Sequence, residues 1–239
     1  MNIVIIFAGG TGKRMNTSGK PKQFLELHGK PILVYTIEQF QQHKLIDGII
    51  VVMLESWIGY CEEIIERYHL TKVVSVVQGG NNGQESIFRG LQKAYELYPP
   101  DSIVLIHDGV RPLIDQKTIS EDITCVEKHG TAITVAPAIE TIALKSETGA
   151  VGDIFDRSRC QLAKAPQCFR LEDIYASHLR SQQEGKLDFI DSASLMKYCG
   201  YELYTVEGPS ENIKITTPGD FYMFRAIVDA RENSQIFGL

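Results

Sequence analysis

The chain has 239 residues, 44% hydrophobic and 23% charged, which is the profile of an ordinary soluble globular protein with one α/β core. Its net charge of −6 excludes a nucleic-acid coat or an anionic-membrane binder, because either needs a broad positive surface. No apolar stretch approaches a membrane span, the first seven residues lack the basic n-region and the long apolar h-region of a signal peptide, and Cys61, Cys125, Cys160, Cys168 and Cys199 form no C-x-x-C pair; reduced thiols in a cytoplasmic protein are expected.

Nearly continuous Val/Ile runs at 2–8, 48–54, 72–77, 102–108 and 131–137 suit strands buried on both faces. Between them, helical patterns span about 32–43, 57–68, 84–98 and 116–129, so the rhythm predicts a mostly parallel sheet wrapped by helices. The stretch from about 139 to 165 has short alternating segments and the turn-like SETGAVGD, and reads as a β-arm projecting from the core. Helices near 171–184 and 192–199, a strand in YELYTV and a C-terminal helix from Pro218 complete one domain.

The first strand runs into AGGTGKRMNTSGKPKQ, at the carboxyl end of a strand where open α/β sheets bind ligands. Glycines there let backbone N–H groups approach a phosphate. A Walker loop needs Ser or Thr after Gly12-Lys13 and meets Arg14. A dinucleotide fingerprint needs a third glycine and meets Met15. What remains is a donor-rich loop with Lys13, Arg14, Lys20 and Lys22 around it, or else a surface turn with solvated cations.

Later strand ends add three segments. GGNNGQES ends in a hydroxyl and enters a helix, so it can meet a base edge or cap the helix. HDGVRPL puts Asp108 and Arg111 at the same sheet edge, where the aspartate can hold Mg²⁺ or a ribose hydroxyl, or simply close a turn on the arginine. ENIKITTPGDF puts Lys214 in a short β-like run before the last helix. The six histidines show no ligand spacing, and His107 reads as a packing residue.

In order and spacing, AGGTGKRM, PKQFLELHGKPIL, GGNNGQESI, HDGVRP, IETI, APQCF, DSAS and NIKITTPGD closely resemble the cytidylyltransferases that activate methylerythritol phosphate and ribitol 5-phosphate. The resemblance implies a modified Rossmann-like sheet, a β-arm that clasps a second subunit in a homodimer, and in-line attack of an acceptor phosphate on the α-phosphorus of CTP with Mg²⁺. It implies that Arg14, Lys22 and Lys214 surround the α-phosphate and that Ala8, Gly9, Gly10 and Gly12 cradle the triphosphate. Gly80, Asn81 and Ser86 match cytosine-reading positions, and Asp108 the position serving Mg²⁺ and the ribose. Arg111, Thr141 and Arg157 match contacts to the acceptor phosphate, with Arg157 reaching across the dimer, and Glu140 stands where the family usually has an aspartate near the polyol.

This chain also departs from the pattern. Gly83 replaces a common arginine, with Arg89 or Lys13 as candidate substitutes for its charge. Ile190 replaces a frequent threonine, and Lys164 and Ala165 replace the usual polar pair before Pro166. The FAGG opening and Trp57 resemble the ribitol phosphate branch, whereas the last serine of IDSAS resembles the methylerythritol branch. A nucleotide-binding protein that no longer catalyses is the reading of another class, against which the retained Arg14, Lys22, Asp108 and Lys214 speak.

Overall fold

The computed structural model describes residues 1–9 and 19–237. Strand β1 (Asn2–Phe7) is the axis of the fold, and every one of its pairings is parallel. After it come a short hairpin, β2 (Glu26–Leu27) and β3 (Lys30–Pro31), helix α1 (Ile32–Gln41), β4 (Gly48–Met53), α2 (Ile58–Arg67), β5 (Val73–Gln78), α3 (Gly83–Leu97) and β6 (Ile103–Asp108). Then follow α4 (Gln116–His129), β7 (Thr131–Pro137), the hairpin β8 (Ile142–Lys145) and β9 (Val151–Phe155), and β10 (Gln161–Arg170). The chain closes with α5 (Leu171–Gln183), α6 (Ser192–Tyr198), β11 (Thr205–Glu207) and α7 (Pro218–Phe237).

The main sheet runs β11-β7-β10-β6-β1-β4-β5. Period-two alternation sorts its side chains to two apolar layers. Val4, Ile6, Ile49 and Val51 meet Leu33, Ile37 and Phe40 of α1 and Ile119 and Ile123 of α4, all buried. Ile3, Ile5, Ile50 and Val52 meet Ile87, Leu91 and Ala94 of α3 on the other face. α3 comes close enough that a Cβ on Gly90 would lie 2.6 Å from Ile5 and 2.9 Å from Val52, so only glycine fits there. The chain leaves β1 for β4 on one side and reaches β6 on the other, and their carboxyl ends open the crevice in which such sheets bind ligands.

Two elements differ from the sequence reading. β10 is antiparallel to both neighbours, β6 and β7, and is inserted between them. Its residues 161–163 already pair with β7, so the free hairpin is confined to β8 and β9 and the projecting segment ends before residue 161 rather than at 165. The mixed run QLAKAPQCFR lacks the Val/Ile density of the other strands, because part of it is a break in the ladder. Likewise NIKI joins no ladder: it is held against the turn after β6 by Ile215 N–H donating to the Val110 carbonyl at 2.9 Å and by Arg111 Nη1 donating to the Asn212 carbonyl at 2.7 Å.

Candidate active site

The site is assembled at the ends of β1, β5 and β6. Ala8 is pinned from both sides: its N–H donates to the Val52 carbonyl at 2.7 Å, and its carbonyl accepts from buried Gln23 Nε2 at 2.5 Å. Gln23 belongs to a 3-10 turn, Lys22–Phe24, whose Phe24 is fully buried. Trp57 stacks on Phe24 at 5.1 Å between centroids and Tyr60 meets it edge-on at 4.9 Å. This aromatic base fixes the turn and so Lys22, whose Nζ donates to the Ile215 carbonyl at 3.0 Å. Gly10, Gly12 and Arg14 lie outside the described residues.

Asp108 ends β6, 6% exposed. Lys214 Nζ lies 2.6 Å from its Oδ1 and Arg111 Nε 3.2 Å from its Oδ2. Burial works to raise the Asp108 pKa, but Lys214 and then Arg111 more than offset this and hold it below the ordinary 3.8, so the group is ionised. Arg111 is further anchored by Nη1 donating to the Asn212 carbonyl at 2.7 Å. The buried His107 ring packs on Phe40 at 4.9 Å and bonds the Arg111 carbonyl at 2.9 Å; burial pushes its pKa down to about 4, leaving it neutral. It is a packing residue, as its setting in the sequence suggests.

The turn after β5 is closed by its own side chains. Asn82 caps α3 by accepting from Glu85 N–H at 2.8 Å. Ser86 Oγ accepts from Gly80 N–H at 3.0 Å and donates to the Asn82 carbonyl at 2.8 Å, so its hydroxyl shapes the turn. Asn81 donates through N–H and Nδ2 to Glu85 Oε2 at 2.8 and 2.9 Å. A Cβ on Gly80 would fall 2.3 Å from the Glu85 side chain, which accounts for the glycine. Arg89 is committed to the Gly79 carbonyl and to Glu85, both at 2.8 Å, and thus braces the turn instead of replacing the charge that Gly83 lacks.

Between this turn, β6, β10 and the segment before α6 lies a cavity of about 520 Å³. Asp108, Arg111 and Lys214 line it, together with Gln84, Lys164 and Gln167, to which the sequence had assigned no role. Gln167 has a structural signal inside the APQCF motif: Nε2 donates to Asp191 Oδ2 at 2.9 Å and Oε1 accepts from Ala193 N–H at 2.9 Å, fixing the start of α6. Gln84 ties α3 to the end of α5 and the loop after it, donating to Ser181 Oγ at 2.8 Å and accepting from Phe189 N–H at 3.1 Å. Burial, then the Arg111 charge, pushes Lys164 below the ordinary lysine value of 10.5.

Glu140, Thr141 and Arg157 do not join that cavity within one chain. All three are exposed on the projecting segment, Arg157 donating to the Ile139 carbonyl at 2.9 Å. One grouping of ligand-type side chains that the spacing did not suggest is His28 with Asp229 and Glu232, a surface cluster away from the cavity-lining residues. Among the described residues no helix is long and apolar enough to cross a membrane.

The family model described as IspD, 2-C-methyl-D-erythritol 4-phosphate cytidylyltransferase, matches residues 2–230. A ribitol-5-phosphate cytidylyltransferase of Streptococcus agalactiae is 52% identical over 100% of both chains, and one of Vibrio parahaemolyticus is 50% identical over 100% of both. A 2-C-methyl-D-erythritol 4-phosphate cytidylyltransferase of Clostridium acetobutylicum is 42% identical over 93% of this chain and 95% of its own. The solved 4-diphosphocytidyl-2C-methyl-D-erythritol synthase of Anaerococcus prevotii superposes with a TM-score of 0.82 at 26% identity, covering 96% of each chain.

Proposed function

The chain belongs to the IspD family of cytidylyltransferases, and from that premise we propose that it transfers CMP from CTP to D-ribitol 5-phosphate, giving CDP-ribitol and pyrophosphate. The observation that carries the acceptor is a gap in identity. Relatives named for ribitol 5-phosphate match at 50–52% over whole chains, whereas those named for methylerythritol phosphate match at 37–42%. The serine of IDSAS, which leans the other way, has a local explanation: Ser194 N–H and Oγ both bond Asp191 Oδ1, at 2.8 and 2.6 Å, as a helix cap.

In this reading an oxygen of the acceptor phosphate attacks the α-phosphorus of CTP. The new P–O bond forms as the α–β bridging bond breaks, and the electron pair leaves with pyrophosphate. Such a transfer asks the protein for positioning and charge neutralisation. Lys22 and Lys214, with Arg14 as the third member, are the cations proposed for the α-phosphate. Their support is that Lys22 docks on the residue next to Lys214, 193 positions away in the chain. Gly9, Gly10, Gly12 and the pinned Ala8 supply the triphosphate cradle, and Gly80, Asn81 and Ser86 the base contacts.

Asp108 suits Mg²⁺ by donor chemistry. It is an ionised hard-oxygen ligand at the cavity edge, and Mg²⁺ is commonly held by one or two carboxylates plus substrate phosphates. When bound there, the metal would neutralise charge on the phosphate oxygens. Lys214, 2.6 Å from the same carboxylate, would add its ammonium to the charge that meets the phosphates.

The second subunit enters through the arm. Ile139, Val151 and Ile154 are 65–71% exposed on it, an apolar surface that a homodimer would cover while delivering Thr141, Arg157 and Glu140 to the partner's acceptor site. We read the chain as one domain acting in the cytoplasm, where five free thiols persist.

Initial-rate assays of pyrophosphate release, with CTP, Mg²⁺ and either acceptor, test the proposal. Ribitol 5-phosphate should give the higher kcat/KM. Preference for methylerythritol phosphate, or CTP binding with no turnover of either acceptor, overturns it.

A further inference from the structure

We propose that Lys164, a residue outside the family pattern, is an acceptor-binding residue of this enzyme that grips the phosphate of the alditol phosphate; this rests on the function proposed above.

Lys164 sits where β10 breaks register. The ladder with β7 shifts between Ala163 and Gln167, and bulges of this kind re-aim a side chain beside a site. The break turns Lys164 toward the 210–212 segment, where its Nζ donates to the Ser210 carbonyl at 2.8 Å and the Asn212 carbonyl at 3.3 Å. Arg111 Nη1 takes the same Asn212 oxygen at 2.7 Å. Both cations therefore lie within roughly 6 Å of one another over one peptide oxygen, a spacing that the oxygens of a single phosphate can bridge. Asn212 is itself fixed, its Nδ2 donating to the Ala165 carbonyl at 2.8 Å, so the pair rests on a rigid support.

Charge balance shows what Lys164 adds. Lys214 and Asp108 pair with one another and serve the nucleotide side, which leaves Arg111 as about one net positive charge at this end of the cavity. A phosphomonoester at pH 7 carries about −1.5 to −2. Lys164 raises the local charge to about +2 and matches the dianion. The cavity's other carboxylate pair belongs to the segment before α6, where Asp191 is occupied by Gln167, Ser194 and the start of α6. The phosphate therefore belongs at the Arg111–Lys164 end, with the polyol running toward Gln167. Lys164 stands on neither nucleotide loop, and Arg111, with which it shares the Asn212 carbonyl, is the residue matched to the acceptor phosphate.

The test is steady-state kinetics on the full chain with Lys164→Met, Lys164→Gln and Lys164→Arg, varying ribitol 5-phosphate at saturating CTP and then the reverse. Lys164→Gln keeps a donor for the carbonyls and so guards against simple misfolding. Loss of one charge-assisted contact should raise the acceptor KM about 10- to 100-fold in the Met and Gln variants, with the CTP KM within about threefold and Tm nearly unchanged. Lys164→Arg should recover part of the loss. An acceptor KM within twofold of the parent in either neutral variant overturns the inference, as does a CTP KM that rises as much as the acceptor's. If the parent enzyme does not use ribitol 5-phosphate at all, the functional proposal has failed instead, and the two failures are told apart by the parent's rate.

Discussion

Replacing Asp108 with asparagine should destabilise the fold by an amount set by which cation loses its partner. The carboxylate accepts on both oxygens, from Lys214 at 2.6 Å and Arg111 at 3.2 Å. An amide of the same shape accepts on one and presents an NH₂ on the other. The side chain of Arg111 is 10% exposed and cannot recover water, whereas that of Lys214 is 42% exposed and can. The amide oxygen should therefore turn to Arg111, and Lys214 should swing into solvent. Breaking a buried pair by removing one member costs about 3–5 kcal/mol. Here Arg111 keeps the Asn212 carbonyl and a neutral bond, which reduces the expected loss to about 2–3 kcal/mol at pH 7.

The pH dependence gives the sharper check. Asp108 has a folded pKa below the unfolded 3.8, so its contribution is complete above 3.8 and is lost as pH falls through the lower folded value. Asp108→Asn lacks that contribution at every pH, and its deficit against the parent should be flat from pH 6 to 8 and shrink below about pH 3.8. Urea unfolding followed by the single tryptophan, Trp57 on its Phe24 platform, reads both proteins. Equal stability at pH 7, or a deficit undiminished between pH 5 and pH 3, would refute the clamp.

Three other substitutions probe two parts of the site and one buried acid outside it. Lys214→Met should lower kcat/KM on the order of 10²- to 10³-fold and also lower Tm, because the buried Asp108 keeps only Arg111 as a partner; a loss under fivefold in pyrophosphate release removes Lys214 from the transition state. Trp57→Ala, by hollowing the packing under Phe24, should cost about 2–3 kcal/mol and reduce kcat about tenfold through Lys22, with Trp57→Phe restoring both. Unchanged kcat in a folded Trp57→Ala protein, judged by circular dichroism, means that the platform does not position the lysine. Asp122→Asn tests a buried acid whose pKa burial pushes well above 3.8, with Oδ1 unpartnered among the described residues. A raised carboxyl pKa means that stability is full below 3.8 and lost as pH rises, so the variant should gain about 1–2 kcal/mol at pH 8, a gain that closes toward pH 4. A variant less stable than the parent at pH 8 would contradict this.

The alternation of strands and helices was legible because each central strand is a Val/Ile run that packs on both faces, as in GIIVVM and IVLIHD. β10 was not, since its composition is shaped by the break around Lys164–Pro166 and by the two edges that it must pair, neither of which leaves a periodic trace. Asp108, Arg111 and Lys22 stood out because ionisable side chains at strand ends are visible in a sequence. Ser86 stood out as well, but its partners did not. A hydroxyl after GGNNGQE can face a ligand or its own turn, and only the 3.0 and 2.8 Å bonds to Gly80 and Asn82 show that it braces the turn.

What the sequence could not display is the part played by peptide oxygens. Lys22 donates to the carbonyl of Ile215, Arg111 to that of Asn212, and Lys164 to those of Ser210 and Asn212, so cations from three distant elements are caught on one irregular segment that also carries Lys214. The segment can do this because NIKI stays out of the sheet: its carbonyls are not consumed by a ladder and remain available as acceptors. A motif search registers the lysine in NIKI and passes over the backbone around it. Yet this backbone brings four positive side chains together without four carboxylates, leaving an excess of positive charge for phosphate, and a strand in its place would have spent the same oxygens on its neighbours.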